Sequence, residues 1–316
     1  MKVAMIGMGG ISGTHRACWK KIKDIEVVAV CDIRKENADA AAEDMGAKAY
    51  YSYEEMAENE KYDILDICLP TYLHAEHAVK ALESGVHVIC EKPASLKIED
   101  IDRIYNAAEE NGKNVMIAQV VRFWKEYLYL KETYESQKYG RLMSGRMTRM
   151  GGTPVSSWDD WMRDPERSGL VPFDLHIHDL DFILYAFGKP AGMQRFRAKN
   201  EKQDYFEAIY RYPDFFIAAE AAWYDCNYVF QCSFRFQFER AVLEFKDGKL
   251  TVFEQGENTF CPFEAQSEKG DGYVPVTNAY DDEILYFLDC IKKGVPCDKI
   301  KREELKHVLR LIEQLA

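Results

Sequence analysis

Up to about residue 120 the chain alternates short apolar runs with segments of helical period, and this alternation leaves few folds open to it. The runs are 3–6, 27–31, 64–69, 86–90 and 115–120, with helix-period segments near 14–23, 35–45, 74–84 and 98–111. Runs that are apolar throughout, rather than at every second position, belong to strands buried on both faces. Separated by helices, they predict a parallel sheet in an α/β domain. After Arg122 the pattern changes. A helix at about 125–138 leads to a strand near 141–150, a Trp-rich loop and a helix at about 174–187. Closely spaced strands follow at 192–199, 205–212, 215–224, 228–237, 240–246 and 249–253, several joined by short turns such as Tyr212-Pro213-Asp214. Such connections predict a largely antiparallel sheet and an α+β second domain. Helices at about 281–293 and 302–315 close the chain. The expected division is 1–120 and 121–316.

Composition narrows the function classes. A net charge of -12 argues against a nucleic-acid surface, which needs clustered Lys and Arg. No apolar stretch approaches the roughly 20 residues that cross a bilayer, and the N-terminus enters a strand without a signal-peptide pattern. The nine cysteines include no Cys-x-x-Cys, so neither a disulfide framework nor a zinc site is expected. These features predict a reduced, cytoplasmic protein with no membrane partner.

The first strand runs into Gly7-x-Gly9-Gly10-Ile11-Ser12, a glycine turn in strand-to-helix context. Gly7 permits the tight turn, and Gly9 lets the backbone approach a pyrophosphate at the N-terminus of the following helix. The third fingerprint glycine is Ser12, still small enough for close helix–strand packing. Asp32 ends the second strand, where an acid binds ribose hydroxyls and repels a 2′-phosphate. Arg34 pulls the other way, so NAD is favoured and NADP stays possible. Glu91-Lys92-Pro93 closes a later apolar run and puts a lysine at the lip of the same sheet.

In this order, the motifs resemble the glucose–fructose oxidoreductase, inositol dehydrogenase and rhizopine-catabolism (Gfo/Idh/MocA) oxidoreductases. The resemblance takes in the glycine turn with His15, Asp32, Leu69-Pro70-Thr71-x-x-His74, Glu91-Lys92-Pro93 and Arg122-Phe123. It continues through Trp161-x-Arg163 and Asp174-x-x-x-His178-x-x-Asp181. It implies a doubly wound Rossmann domain followed by a large, mostly antiparallel open-faced sheet. It also implies hydride transfer between a nicotinamide and a carbinol carbon of a sugar or polyol. Lys92, Asp174 and His178 match its catalytic group. Gly10, Ile11, Pro70, Thr71, His74, Glu91 and Lys92 join the cofactor contacts, and Arg122, Trp161 and Arg163 join the substrate contacts. The chain departs from the family at His176, often glycine there, and at Ser168-Gly169-Leu170-Val171-Pro172, which lacks a glycine run. Both departures are expected beside the substrate.

The chemistry suits these residues. Oxidising a secondary alcohol needs a base for the hydroxyl proton and a cation for the developing alkoxide. Asp174 and His178, four apart, share a helical face, and Asp181 continues it. The bland readings are a solvated lysine, an N-capping aspartate and a packed histidine. His15 and His74 read equally as packing or cofactor contacts, and Thr71 equally as a helix cap. His176-Ile177-His178-Asp179 resembles a metal cluster, but neighbours two apart on one helix face apart; no metal is expected. Two other functions are open: a nucleotide-sensing regulator without catalysis, and a glycosidase or imine reductase of the same fold. Alternating Phe230, Phe234, Phe236 and Phe238 make one sheet face apolar, which predicts a homodimer or homotetramer.

Overall fold

Val3–Ile6 is almost wholly out of solvent in the computed structural model, which describes residues 1–256, 258–263 and 277–315. The run forms β1 (Lys2–Ile6), which pairs in a six-stranded sheet with β2 (Glu26–Cys31) and β4 (Ile64–Ile67). β3 (Lys48–Tyr50), β5 (His87–Glu91) and β6 (Val115–Ala118) complete it, in the order β3-β2-β1-β4-β5-β6 with every pairing parallel. The connecting helices are α1 (Gly10–Lys21), α2 (Lys35–Met45), α3 (Tyr53–Asn59), α4 (His74–Glu83) and α5 (Ile98–Glu110). This is the Rossmann winding, reversing between β1 and β4. α4 and α5 meet through small side chains, with Ala75, Ala78, Ala81, Ala107 and Ala108 all buried.

β3 and α3 correct the sequence reading, which has five strands. Three residues are too few to show a period. The local signal is Ser52, whose hydroxyl caps α3 by accepting the Glu55 N–H at 3.2 Å.

The second sheet is built around β7 (Leu142–Gly152), preceded by α6 (Lys125–Glu135). After the short α7 (Pro165–Ser168) comes a π-helical turn, Pro172–His176, which continues directly into α8 (Ile177–Phe187). The remaining strands are β8 (Gly192–Lys199), β9 (Asp204–Arg211), β10 (Phe216–Tyr224), β11 (Gln231–Phe238), β12 (Ala241–Lys246), β13 (Lys249–Glu254) and β14 (Thr259–Phe260). Their order is β14-β13-β12-β11-β7-β10-β9-β8, antiparallel except where β10 runs parallel to β7. One face is aromatic. Phe234, Phe236 and Phe245 are buried, and the rings of Tyr127 on α6 and Phe187 on α8 lie 5.0 Å from Phe234 and 5.4 Å from Phe236. Gly145, directly across from Phe236, makes room for it, because a Cβ there would overlap the ring. The aromatic face that predicts an oligomer is therefore covered by the unit's own α6 and α8. The opposite face is polar: Arg146 lies within ion-pair reach of Glu207 and Glu220, and Thr148 bonds Ser233.

The chain gathers into two compact units. One comprises Met1–Gln119, Glu166–Ser168 and Tyr280–Leu309; the other comprises Val120–Pro165, Gly169–Ala279 and Arg310–Ala316. Most of α9 (Ala279–Lys293) and half of α10 (Arg302–Leu315) thus belong with the parallel sheet, where the sequence reading has them in the second domain. Polar ties hold them: Lys21 to Asp281 at 2.7 Å, Arg302 and Lys306 to Asp102, and Asn114 to the Val295 carbonyl. Helical period shows which face of a helix is buried, not which core receives it.

Candidate functional site

The carboxyl ends of β2, β1, β4 and β5 are consecutive along the parallel sheet, and each carries an expected site residue. At about 4.8 Å per strand, Asp32 and Lys92 stand at positions about 14 Å apart along that edge, which suits an extended ligand. Gly7 turns the chain at φ 85°, and a Cβ there would lie 2.6 Å from the Cys68 carbonyl oxygen. Among the described residues, no heavy atom beyond the adjoining chain lies within 4 Å of a Cβ built on Gly9 or on Gly10. α1 begins there without a side-chain cap or an acid in its first turn. An open cradle beneath uncapped N–H groups, with nothing to repel an anion, fits a dinucleotide pyrophosphate. Ile11 is half-buried. Ser12, wholly buried, donates its hydroxyl to the Gly9 carbonyl at 2.6 Å and so braces the turn.

Asp32 accepts the Met8 N–H at 2.8 Å and the Arg34 N–H at 2.8 Å, and the Arg34 guanidinium lies over it with Nε at 3.2 Å. The two residues with opposite expected effects on a 2′-phosphate are therefore an ion pair. At the end of β4, Pro70 and the buried Thr71 open a 3₁₀ turn. The His74 ring nitrogens lie 2.7 Å from the Leu69 and Pro93 carbonyls, so both edges of the ring face backbone. His15 likewise proves to be packing, fully buried against Asp66 and Glu91. Glu91 is buried, whereas Lys92 is half-buried and followed by a cis peptide bond to Pro93.

In the second unit, residues 171–183 are buried except Asp174 and His178. The other polar side chains of this stretch have inward partners. Asp181 is taken by Arg122, which donates from Nε at 2.8 Å and Nη2 at 2.7 Å beneath the Tyr185 ring. Arg122 is fully buried in this pairing. Asp179 pairs with the buried Arg149 at 2.9 Å. His176 stacks on Tyr210 and lies 2.6 Å from its hydroxyl; burial and the nearby Arg149 cation push its pKa down to about 3. Its departure from the family therefore faces the sheet core. Trp161 and Arg163 lie on a 3₁₀ segment, Trp158–Arg163, where Arg163 is exposed and donates to Asp160 at 2.6 Å.

A Rossmann sheet with an open phosphate cradle and a lysine at its edge, followed by a mixed, mostly antiparallel sheet, defines a two-unit nucleotide-binding class. Residues 1–119 match the oxidoreductase family described as having an NAD-binding Rossmann fold, and residues 127–244 match the GFO/IDH/MocA C-terminal domain. The chain belongs to the Gfo/Idh/MocA oxidoreductase family. It is 32% identical over 195 residues to D-glucoside 3-dehydrogenase of Escherichia coli, covering 60% of this chain and 55% of the relative. It is 30% identical over 190 residues to myo-inositol 2-dehydrogenase of Thermotoga maritima, with 60% and 55% covered. The matched part spans about half the length of these relatives. Levoglucosan dehydrogenase, solved in its apo form, superposes with a TM-score of 0.82 at 17% identity over 100% of this chain and 95% of the other, a likeness of fold. Among the described residues, no helix is long and apolar enough to cross a membrane.

Proposed function

We propose that this chain is an NAD(H)-dependent dehydrogenase or reductase acting on a secondary hydroxyl of a sugar, inositol or related polyol. The observation that carries the reading is the order along the sheet edge: Asp32, the open cradle of Gly9 and Gly10, and Lys92 on nearby strand ends. The relatives named for glucoside and myo-inositol dehydrogenation support the substrate class. The cofactor supplies a hydride acceptor. Gly7, Gly9, Gly10, Ile11 and Ser12 bind its pyrophosphate, Asp32 and Arg34 its adenosine ribose, and Pro70, Thr71 and Glu91 frame its nicotinamide end. Lys92 holds the reacting oxygen and stabilises its developing negative charge. His178 takes the hydroxyl proton in oxidation and returns it in reduction; Asp174 orients the reacting groups. Trp161 and Arg163 contribute to substrate recognition.

The test is NADH production across a panel of sugars and inositols, followed by Lys92→Met and His178→Ala on the best substrate. Each variant should lose about 10²–10⁴ in turnover and keep its NADH affinity. Near-normal turnover in either folded variant removes that residue from the chemistry. Redox-neutral chemistry is a second reading, because a 28% identical relative is a 2,7-anhydro-N-acetylneuraminate hydratase. Product formation without net NADH change would select it.

A further inference from the structure

Behind Lys92 lies a buried chain of polar contacts, of which the proposed chemistry uses only Glu91. His15 on α1 faces carboxylates with both ring nitrogens: Nδ1 is 2.9 and 3.0 Å from the two Asp66 oxygens, and Nε2 is 3.1 Å from Glu91 Oε1. Asp66 also accepts the Trp19 indole N–H at 2.7 Å and lies 3.6 Å from the Cys68 thiol. The second Glu91 oxygen, Oε2, accepts the main-chain N–H of Lys92 at 3.0 Å. His74 holds the next carbonyl, that of Pro93.

We propose that His15 is a positioning residue for Lys92: a doubly protonated ring that bridges Asp66 and Glu91 and thereby fixes the Lys92 main chain where β5 ends. The proposal rests on Lys92 being the group that holds the reacting oxygen.

The donor count favours the second ring proton. A neutral imidazole has one N–H and one lone pair, whereas two ionised carboxylates offer only acceptors. A lone pair facing a carboxylate oxygen at 3.1 Å would be repelled. Asp66, with three donors aimed at it, is the anion that holds the charge. Burial works against a charged ring, but the Asp66 carboxylate more than offsets it and holds the His15 pKa well above the usual histidine value.

The groups packed around the ring are mostly thiols and carboxyls. Burial keeps the thiols of Cys18, Cys68 and Cys90 protonated, with the nearby acids adding to the effect. From α9, Tyr280 faces the ring, its centroid 6.3 Å away, and Glu283 is wholly buried with no hydrogen-bond partner at either carboxylate oxygen. Burial, then the Glu91 charge, push the Glu283 carboxyl well above the carboxylate range; His15 and, less strongly, Lys299 oppose this. His15, Asp66 and Cys68 also sit close enough together to suggest a cation site. Hydrogen bonds to His15 and Trp19 already engage the Asp66 carboxylate, and Cys68 remains a thiol, so the proton fills that role.

The experiment combines spectroscopy with kinetics. Protein labelled with ¹⁵N-histidine, with His15 assigned through His15→Gln, should show both His15 ring nitrogens protonated from about pH 6 to 8. A singly protonated ring at neutral pH overturns the bridge. His15→Gln should lower kcat about tenfold or more while NADH affinity stays within about threefold, and adding Lys92→Met should cost little beyond Lys92→Met alone. Asp66→Asn, which removes the other carboxylate charge on the ring, serves as the second variant if His15→Gln does not fold. An unchanged kcat, or fully additive losses, overturns the positioning role. Normal turnover in Lys92→Met alone would overturn the assignment of Lys92 itself, and the positioning role with it; the ring spectrum tests the bridge separately.

Discussion

The two regions that carry the candidate residues hold them by opposite means. Along the parallel sheet, the groups stand where strands end, and the main chain does most of the placing: a positive-φ turn at Gly7, an uncapped helix start at Gly10, and a main-chain N–H of Lys92 tied to Glu91. On the π-turn and α8, side chains pair with side chains. Arg122 takes Asp181, Arg149 takes Asp179, Tyr210 takes His176, and within 171–183 Asp174 and His178 are the residues that are not buried. Backbone placement leaves a signature in glycine spacing. Side-chain pairing leaves none, because each partner lies many residues away.

The largest effect should separate the two kinds of buried polar group on that helical stretch. Arg122→Met strands the Asp181 charge in the interior and should lower the unfolding free energy by about 3–5 kcal/mol, measured by urea titration. His178→Ala, at a half-exposed position, should cost about 1 kcal/mol or less. Equal losses would mean that exposure does not distinguish site from scaffold here.

Within the glycine turn a second contrast is expected. Gly7→Ala forces a Cβ against the Cys68 carbonyl at φ 85° and should cost on the order of 1–3 kcal/mol in stability. Gly9→Val meets nothing in the protein, so the melting temperature should hold while NADH affinity falls. A folded Gly9→Val that binds NADH as tightly as wild type would put the cofactor elsewhere.

Asp32→Ser should shift preference toward NADPH by roughly tenfold, because it removes the repelling carboxylate and releases the Arg34 side chain paired to it. Wild-type protein that already binds NADPH more tightly than NADH would contradict the role of Asp32.

The smallest effect concerns Glu283. Its folded-state pKa is raised, so above the ordinary carboxylate pKa of about 4.3 folding requires it to take up a proton, and its cost grows as pH rises. Glu283→Gln should therefore raise the melting temperature near pH 8, by roughly 2–4 °C per kcal/mol recovered, and the gain should shrink toward pH 4.5. A gain independent of pH would show that the carboxyl is not held neutral.

The same division explains what the sequence made legible. Continuous apolar runs marked five of the six parallel strands, and the glycine turn and Lys92 followed from their places at strand ends. β3, three residues long, was below the length at which a period appears. Along the π-turn and α8 the residue types and spacing were legible and the side-chain directions were not. The four-residue spacing from Asp181 to Tyr185 looks the same as that from Asp174 to His178, yet Asp181 turns inward to an arginine 59 positions back. The aromatic alternation around β11 marked an apolar face that the sequence reading assigns to another subunit; α6 and α8 of the same unit cover it, a destination no local pattern encodes.

Gly145 and Phe236 illustrate a constraint of another kind. They are register partners in adjacent strands, and the ring occupies the volume that any side chain at 145 would need. Neither position can drift by itself. Enlarging the first collides with the ring, and shrinking the second opens a void in the middle of the sheet. A lineage that leaves this solution must change both together or pass through a poorer intermediate. Substitutions at 145 and 236 should therefore show reciprocal epistasis, with Gly145→Ala tolerated only beside a smaller residue at 236.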